Sequence, residues 1–154
     1  MYAYLLITHS YLRWLVLISL VFGLIFSFIK HKKRKIYTQN DYQLFNGIKN
    51  IFNLQFLLGI LLLFQSPFVQ TFWKQISVAV KWREVRFFGL EHPFMMILSV
   101  VLINFFVHKS KTKINTQQGF KYLFIRLLII FVLIFLSIPW SFSPFTSRPD
   151  FRLF

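Results

Sequence analysis

Four apolar runs, each near the roughly twenty residues that cross a bilayer core, are separated by short polar connections, and this pattern constrains the chain more than anything else in it. In lipid every backbone polar group must be satisfied internally, so such runs can only be helices packed side by side. The spans are expected over about residues 3–29, 41–65, 85–107 and 120–138. The apolar fraction of 56% exceeds the usual 45–50% and 22 residues are Phe, which suits lipid-facing and interior surfaces alike. The fold class is therefore all-α, a polytopic membrane protein built as a single four-helix transmembrane bundle over residues 1–154.

Boundary signals agree with this division. The first run lacks both a preceding basic region and a following small-residue cleavage motif, so it is expected to remain as a membrane helix. Asn40 and Asp41 are placed to cap the second span, and Ser66-Pro67 ends it. Between the second and third spans, Phe68, Phe72, Trp73, Ile76 and Val80 recur at helical spacing among Gln70, Lys74 and Lys81, which predicts one interfacial amphipathic helix over about 68–83. Pro139, Pro144 and Pro149 make the tail irregular.

Charge sets the orientation. Lys30, Lys32, Lys33, Arg34 and Lys35 follow the first span, and Lys109, Lys111 and Lys113 follow the third, so both connections are expected on the cytoplasmic side. Both termini then lie on the periplasmic side of a bacterial inner membrane. The positive charge, net +14, collects mainly in the short connections between apolar runs as topology signals do, although the 2–3 connection also carries Lys74, Lys81, Arg83 and Arg86, and nucleic-acid binding is not expected. Without Cys there are no disulfides, iron–sulfur ligation or thiol redox chemistry.

Polar residues inside the spans are the candidates for function. "THSYLRW" puts His9 and Arg13 one turn apart on one face of the first span, about 6 Å apart along its axis. The third span starts from the same side of the membrane and carries "EHP", so Glu91 and His92 fall at a similar depth. Glu91 is the only acid in a span, and Arg13–Glu91 is the expected ion pair, with Arg86 reaching out to the headgroups. Pro93 predicts a kink beside His92 because its ring crowds the carbonyl of Gly89. Two imidazoles on facing helices can ligate a b-type haem axially, with Arg13, Arg83 or Arg86 meeting its propionates; the alternative is that each His is a packing residue. His31 and His108 sit among the basic loops and are weaker candidates for a second site.

The second span adds Asn46, Asn50 and Asn53 as one polar stripe, with Gln55 off it. Amides of this kind mostly report helix packing, and hydrogen bonding to a quinone or a haem edge is the functional alternative; Asn104 has the same ambiguity. No phosphate loop, serine elbow, HExxH or carboxylate pair is present, so no independent catalytic activity is expected.

The stretches "LLITHSYLRWLVL", "NLQFLLGILL", "REVRFFGLEHPFMMILSVVLI", "HKSKTK" and "IPWSF" together resemble small four-helix bacterial membrane proteins commonly labelled cytochrome b-like. The resemblance covers most of the chain. It implies His9 and His92 as haem ligands, with Arg13, Gln55, Arg86 and Glu91 as matching polar positions. Proteins of that kind often carry another His near position 104, where this chain has Asn104, and that departure leaves open a member that keeps the scaffold without the cofactor.

The expected function is a b-type haem electron-transfer module or subunit of a respiratory-type complex, in contact with the bilayer and other membrane subunits. The alternative is a cofactor-free accessory or assembly subunit locked by Arg13–Glu91. A quinone- or lipid-binding module using Asn53, Gln55 and Arg13 ranks third.

Overall fold

The computed structural model describes residues 1–142 and 146. Helices α1 (Tyr2–Lys32), α2 (Gln39–Gln65), α3 (Pro67–Lys74), α4 (Ile76–Ala79) and α5 (Arg83–Arg86) are followed by a π-helical turn, Phe87–Glu91. That turn runs directly into α6 (His92–Ser110), and a 3₁₀ turn, Lys111–Lys113, leads to α7 (Gln118–Ser137). Four segments are long and apolar enough to span a membrane: Tyr2–Lys32, Gln39–Gln65, Arg83–Lys113 and Gln118–Ser137. α1 packs against α2 and α7, and α6 packs against the same two, so the four form a square in which every neighbour runs antiparallel.

One interior stripe per helix makes the core. It runs through Val16, Leu20, Leu24 and Ser27 on α1, and through Phe45, Ile48, Phe52 and Leu62 on α2. On the other two helices it runs through Ser99, Ile103, Val107 and Ser110 of α6 and through Phe120, Leu123, Leu127, Ile130 and Ile134 of α7. These three- and four-residue steps, with a ten-residue step from Phe52 to Leu62 on α2, keep a single face inward on each helix. The buried serines satisfy their own hydroxyls within the helix, as Ser27 donates to the Leu24 carbonyl and Ser110 to that of Val107. Their small size then lets the helices approach closely.

The end bearing the two basic loops, here the basic end, is closed by Tyr37. Its side chain is fully buried, packs edge-on against Phe120 and shares a hydrogen bond of 3.1 Å with Ser110. Its backbone N–H donates to the Thr116 carbonyl, and its carbonyl accepts from the Asn115 N–H, so the two loops are tied to each other. Gly119 leaves room for the ring: a Cβ there would stand 2.5 Å from Tyr37 Cγ and 2.6 Å from its Cβ.

Two local expectations need correction. The cap of α2 is Thr38, not Asn40: its backbone N–H donates to Asp41 Oδ2 and its hydroxyl accepts from the Asp41 N–H, a reciprocal capping box. The connection over 68–83 is not one helix, because Gln75 leaves helical backbone at φ −140°, ψ 55° and divides it into α3 and α4. Phe72 of α3 then turns inward against Gly89, whereas Trp73 and Trp82 stay exposed as aromatic anchors suited to a membrane interface.

Candidate functional site

Continued toward the end opposite the basic loops, here called the far end, the same stripes change character. α1 supplies Arg13 and His9, α2 supplies Gln55 and Gly59, α6 supplies Met96 and His92, and α7 ends at Ser137. Large aliphatic side chains give way to polar or small ones at one level of all four helices. The bundle is not filled there, and a cavity of about 450 Å³ lies between the helices, with His9, Arg13, Gln55, Gly59, His92 and Met96 on its walls among aliphatic and aromatic neighbours. That volume falls within the usual range for small-molecule and cofactor sites.

The two imidazoles lie close together on the wall of this space. Their ring centroids are 6.5 Å apart and their planes nearly perpendicular, at 78°. His92 is anchored from behind, because its Nδ1 lies 2.8 Å from the Ser137 carbonyl oxygen. A carbonyl can only accept, so Nδ1 carries the proton and Nε2 keeps its lone pair. Ser137 is the last residue of α7, where helical carbonyls have no partner in their own helix, and His92 fills that need. Phe87 and Phe88 flank the ring at 5.8 and 6.5 Å.

Pro93 explains the backbone that delivers His92. It has no N–H to offer the Gly89 carbonyl, and the preceding turn widens so that the His92 N–H bonds the Phe87 carbonyl, five residues back. The kink expected at Pro93 is thus a π-helical turn. Gly89 sits in that turn against the base of Phe72, with no space for a side chain.

His9 is held differently. Gln55 Nε2 donates to the His9 backbone carbonyl at 3.0 Å, and Gly59 opens space beside the ring, where a Cβ would stand 3.4 Å from His9 Cε1. His9 Nδ1 and Gln55 Oε1 are both buried without a hydrogen-bond partner among the described residues. Buried polar atoms are normally satisfied, so these two stand out beside the cavity. Arg13, one turn deeper, places its guanidinium 5.5 Å from the Trp14 ring and 5.9 Å from that of Trp140.

Glu91 does not pair with Arg13. Its Oε1 lies 2.6 Å from Nε of Arg86, which also donates from Nη1 to the Val80 carbonyl at 3.0 Å. The π-turn is the reason, since it brings positions five apart onto a common face, which an ordinary α-helix would not. Both side chains are over a third exposed, at 38% and 35%, and neither reaches the cavity. Of the six residues expected at one site, His9, Arg13, Gln55 and His92 meet at the cavity and Arg86 and Glu91 form a separate pair. Asn53 and Asn104 exchange amide hydrogen bonds of 3.2 and 2.8 Å, clasping α2 to α6. Asn46 instead accepts from Lys49, and His31 and His108 make no ring contact with each other among the described residues.

Two elements escaped the sequence reading. The Ser137 carbonyl has no side-chain signature and could be found only from the packing. Arg126 did have a signal, as a lone cation inside the last apolar run, and it lies at the α6–α7 seam beside Phe106 and Tyr122. Searches against protein-family models, curated proteins and solved structures find no match to this chain.

Proposed function

We propose that this protein is a b-type haem-binding integral membrane protein that transfers electrons, with His9 and His92 as the axial ligands. The observation that carries this reading is the pair of neighbouring imidazoles, one of them fixed through Nδ1 by a backbone carbonyl. Ligating histidines characteristically donate their second ring N–H in this way, which sets the tautomer and raises ligand basicity. The centroid separation of 6.5 Å is close to what two metal–nitrogen bonds of about 2 Å plus the two ring radii require.

Among the described residues no three His, Asp or Glu side chains cluster as a metal-holding group. Two imidazoles alone suit iron whose remaining ligands come from a macrocycle, and the aliphatic and aromatic walls suit the faces of such a ring. Haem would supply reversible one-electron exchange at iron. The chain's own groups would hold the ligand tautomer through Ser137 and offer the Arg13 guanidinium to a propionate as a charge-assisted donor. With two saturated axial positions, the residues favour electron relay over chemistry on a bound substrate. The excess of Lys and Arg in two connections supports a basic end on the cytoplasmic side of a bacterial inner membrane, with both termini on the periplasmic side. The haem would then lie near the periplasmic face, where other membrane subunits act as donor and acceptor.

The test is the reduced-minus-oxidised absorption spectrum of protein purified from a haem-replete host. A b-type band in the native chain, lost in His9→Ala and in His92→Ala while the helical content stays unchanged, is the expected result. A colourless native preparation would overturn the proposal and favour a cofactor-free accessory subunit.

A further inference from the structure

A second site lies at the basic end, away from the cavity, and does not depend on the haem reading. Arg126 stands eight residues into α7, about 12 Å along the axis from Gln118, well inside an apolar span. A charge in such a position costs at least about 2.5–3.5 kcal/mol unless something answers it. Its guanidinium lies 5.3 Å from the Phe106 ring and 5.4 Å from the Tyr122 ring, and its buried Nε has no hydrogen-bond partner among the described residues. Lys113 places its ammonium 5.3 Å from the same Tyr122 ring. Two cations therefore share one aromatic ring at the seam of α6 and α7.

The described acids do not neutralise them. Asp41 is taken up by the Thr38 cap, and Glu84 and Glu91 belong to the far end, Glu91 in its pair with Arg86. Side chains on a helix tilt toward its N-terminus, so Arg126 reaches toward Lys113 and the membrane surface at the basic end. Alongside this seam, Ile125 and Ile129 of α7 and Phe105 of α6 remain exposed as an apolar track running deeper into the span. A cationic pair reaching from within the span toward the basic end, beside an apolar track, matches one class of partner.

We propose that the Arg126–Tyr122–Lys113 seam binds the phosphate of an anionic phospholipid from the leaflet at the basic end, with its acyl chain along Ile125 and Ile129. The phosphate bridges the two cations and relieves their mutual repulsion, and the ring of Tyr122 holds them apart at a fixed spacing. A zwitterionic lipid brings its own ammonium and gains less. Free phosphate shares the headgroup chemistry but cannot use the apolar track.

Native mass spectrometry of the full-length protein in detergent, titrated with phosphatidylglycerol or phosphatidylcholine of identical chains, tests this. The native protein is expected to prefer phosphatidylglycerol by about tenfold. Arg126→Met, which keeps side-chain length and removes the intramembrane charge, should bring the preference within about twofold, and Lys113→Gln on the exposed turn should reduce it about fivefold. Lys32→Gln, a loop lysine at the same end that stands over Phe28, should leave it unchanged. Equal binding of both lipids, retention of the preference in both seam variants, or an equal loss in Lys32→Gln would overturn the site. Displacement of phosphatidylglycerol by millimolar inorganic phosphate would assign it to a free anion instead.

Discussion

The two ends of the bundle are built from the same repeating stripe and treat their interiors in opposite ways. At the basic end the stripe is filled, and Leu20, Ile103, Phe120 and Leu123 are buried completely, with Tyr37 as a plug that bonds Ser110 and ties the two loops. At the far end the same positions hold His9, Gln55, Gly59 and Met96 around an open cavity of about 450 Å³. Close packing supplies stability through dispersion and area removed from the surroundings, and a cavity forgoes both. Close packing and open interior space are thus separated along the bundle axis, and the Asn53–Asn104 clasp marks the middle ground between them.

Glycine substitution gives the largest expected contrast. Gly119→Ala should destabilise the protein by about 1–3 kcal/mol in detergent thermal or denaturant unfolding, because the new Cβ collides with the unyielding base of the Tyr37 ring. Gly59→Ala at the far end meets only the His9 ring, at 3.4 Å from Cε1 and 4.0 Å from Nδ1, and should be neutral or stabilising, since a helical glycine is itself unfavourable by about 0.5–1 kcal/mol. Equal losses at both sites would erase the distinction between the ends.

Tyr37→Phe comes next, at about 1 kcal/mol for the bond to Ser110. Burial pushes the Tyr37 phenol up to about 12 from its ordinary 10, outweighing the lowering effect of the Ser110 bond, with Asp41 raising it further. The native state resists ionisation where the unfolded chain accepts it, so this contribution is intact below pH 10 and falls as pH rises toward 12. The native protein should therefore lose more of its melting temperature over that interval than Tyr37→Phe does. A parallel decline in both would show that the plug does not control it.

Asn53→Leu should cost about 0.6 kcal/mol, the usual size of an amide contact between membrane helices. Asn53→Leu with Asn104→Leu should cost less than the two single losses added, because each single change strands a partner amide. The smallest effect is expected for Glu91→Gln, under about 0.5 kcal/mol, since its partner Arg86 is partly exposed to solvent or headgroups. That loss should be additive with Arg13→Gln and non-additive with Arg86→Gln. The reverse pattern would restore the pairing expected from the sequence.

What could be read from the sequence follows from periodicity. The four spans, their up-and-down course and the common depth of His9 and His92 depend only on apolar run lengths and on helix direction, and a four-helix membrane bundle results. Failures arose where the backbone departs from the regular helix. Depth alone points to Arg13–Glu91, whereas the π-turn at Phe87–Glu91 rotates Glu91 toward Arg86. The break at Gln75 and the approach of Phe72 to Gly89 depend on the fold of the connection against α6's approach, which one-dimensional amphipathicity does not contain. The anchor behind His92 is a main-chain carbonyl, present at every residue and informative only once α7 is seen to end beside it. Arg126 is legible as a lone cation in an apolar run, but no sequence pattern marks the α6–α7 seam that surrounds it.

The proposed haem site is tested most directly by electron paramagnetic resonance of the oxidised protein purified from a haem-replete host. Axial ligation by His9 and His92, whose planes lie 78° apart, predicts a low-spin ferric signal of the strongly anisotropic kind given by nearly perpendicular imidazoles, and its loss in His92→Ala. Absence of any ferric haem signal in the native protein, or a signal that His92→Ala leaves unchanged, would contradict it.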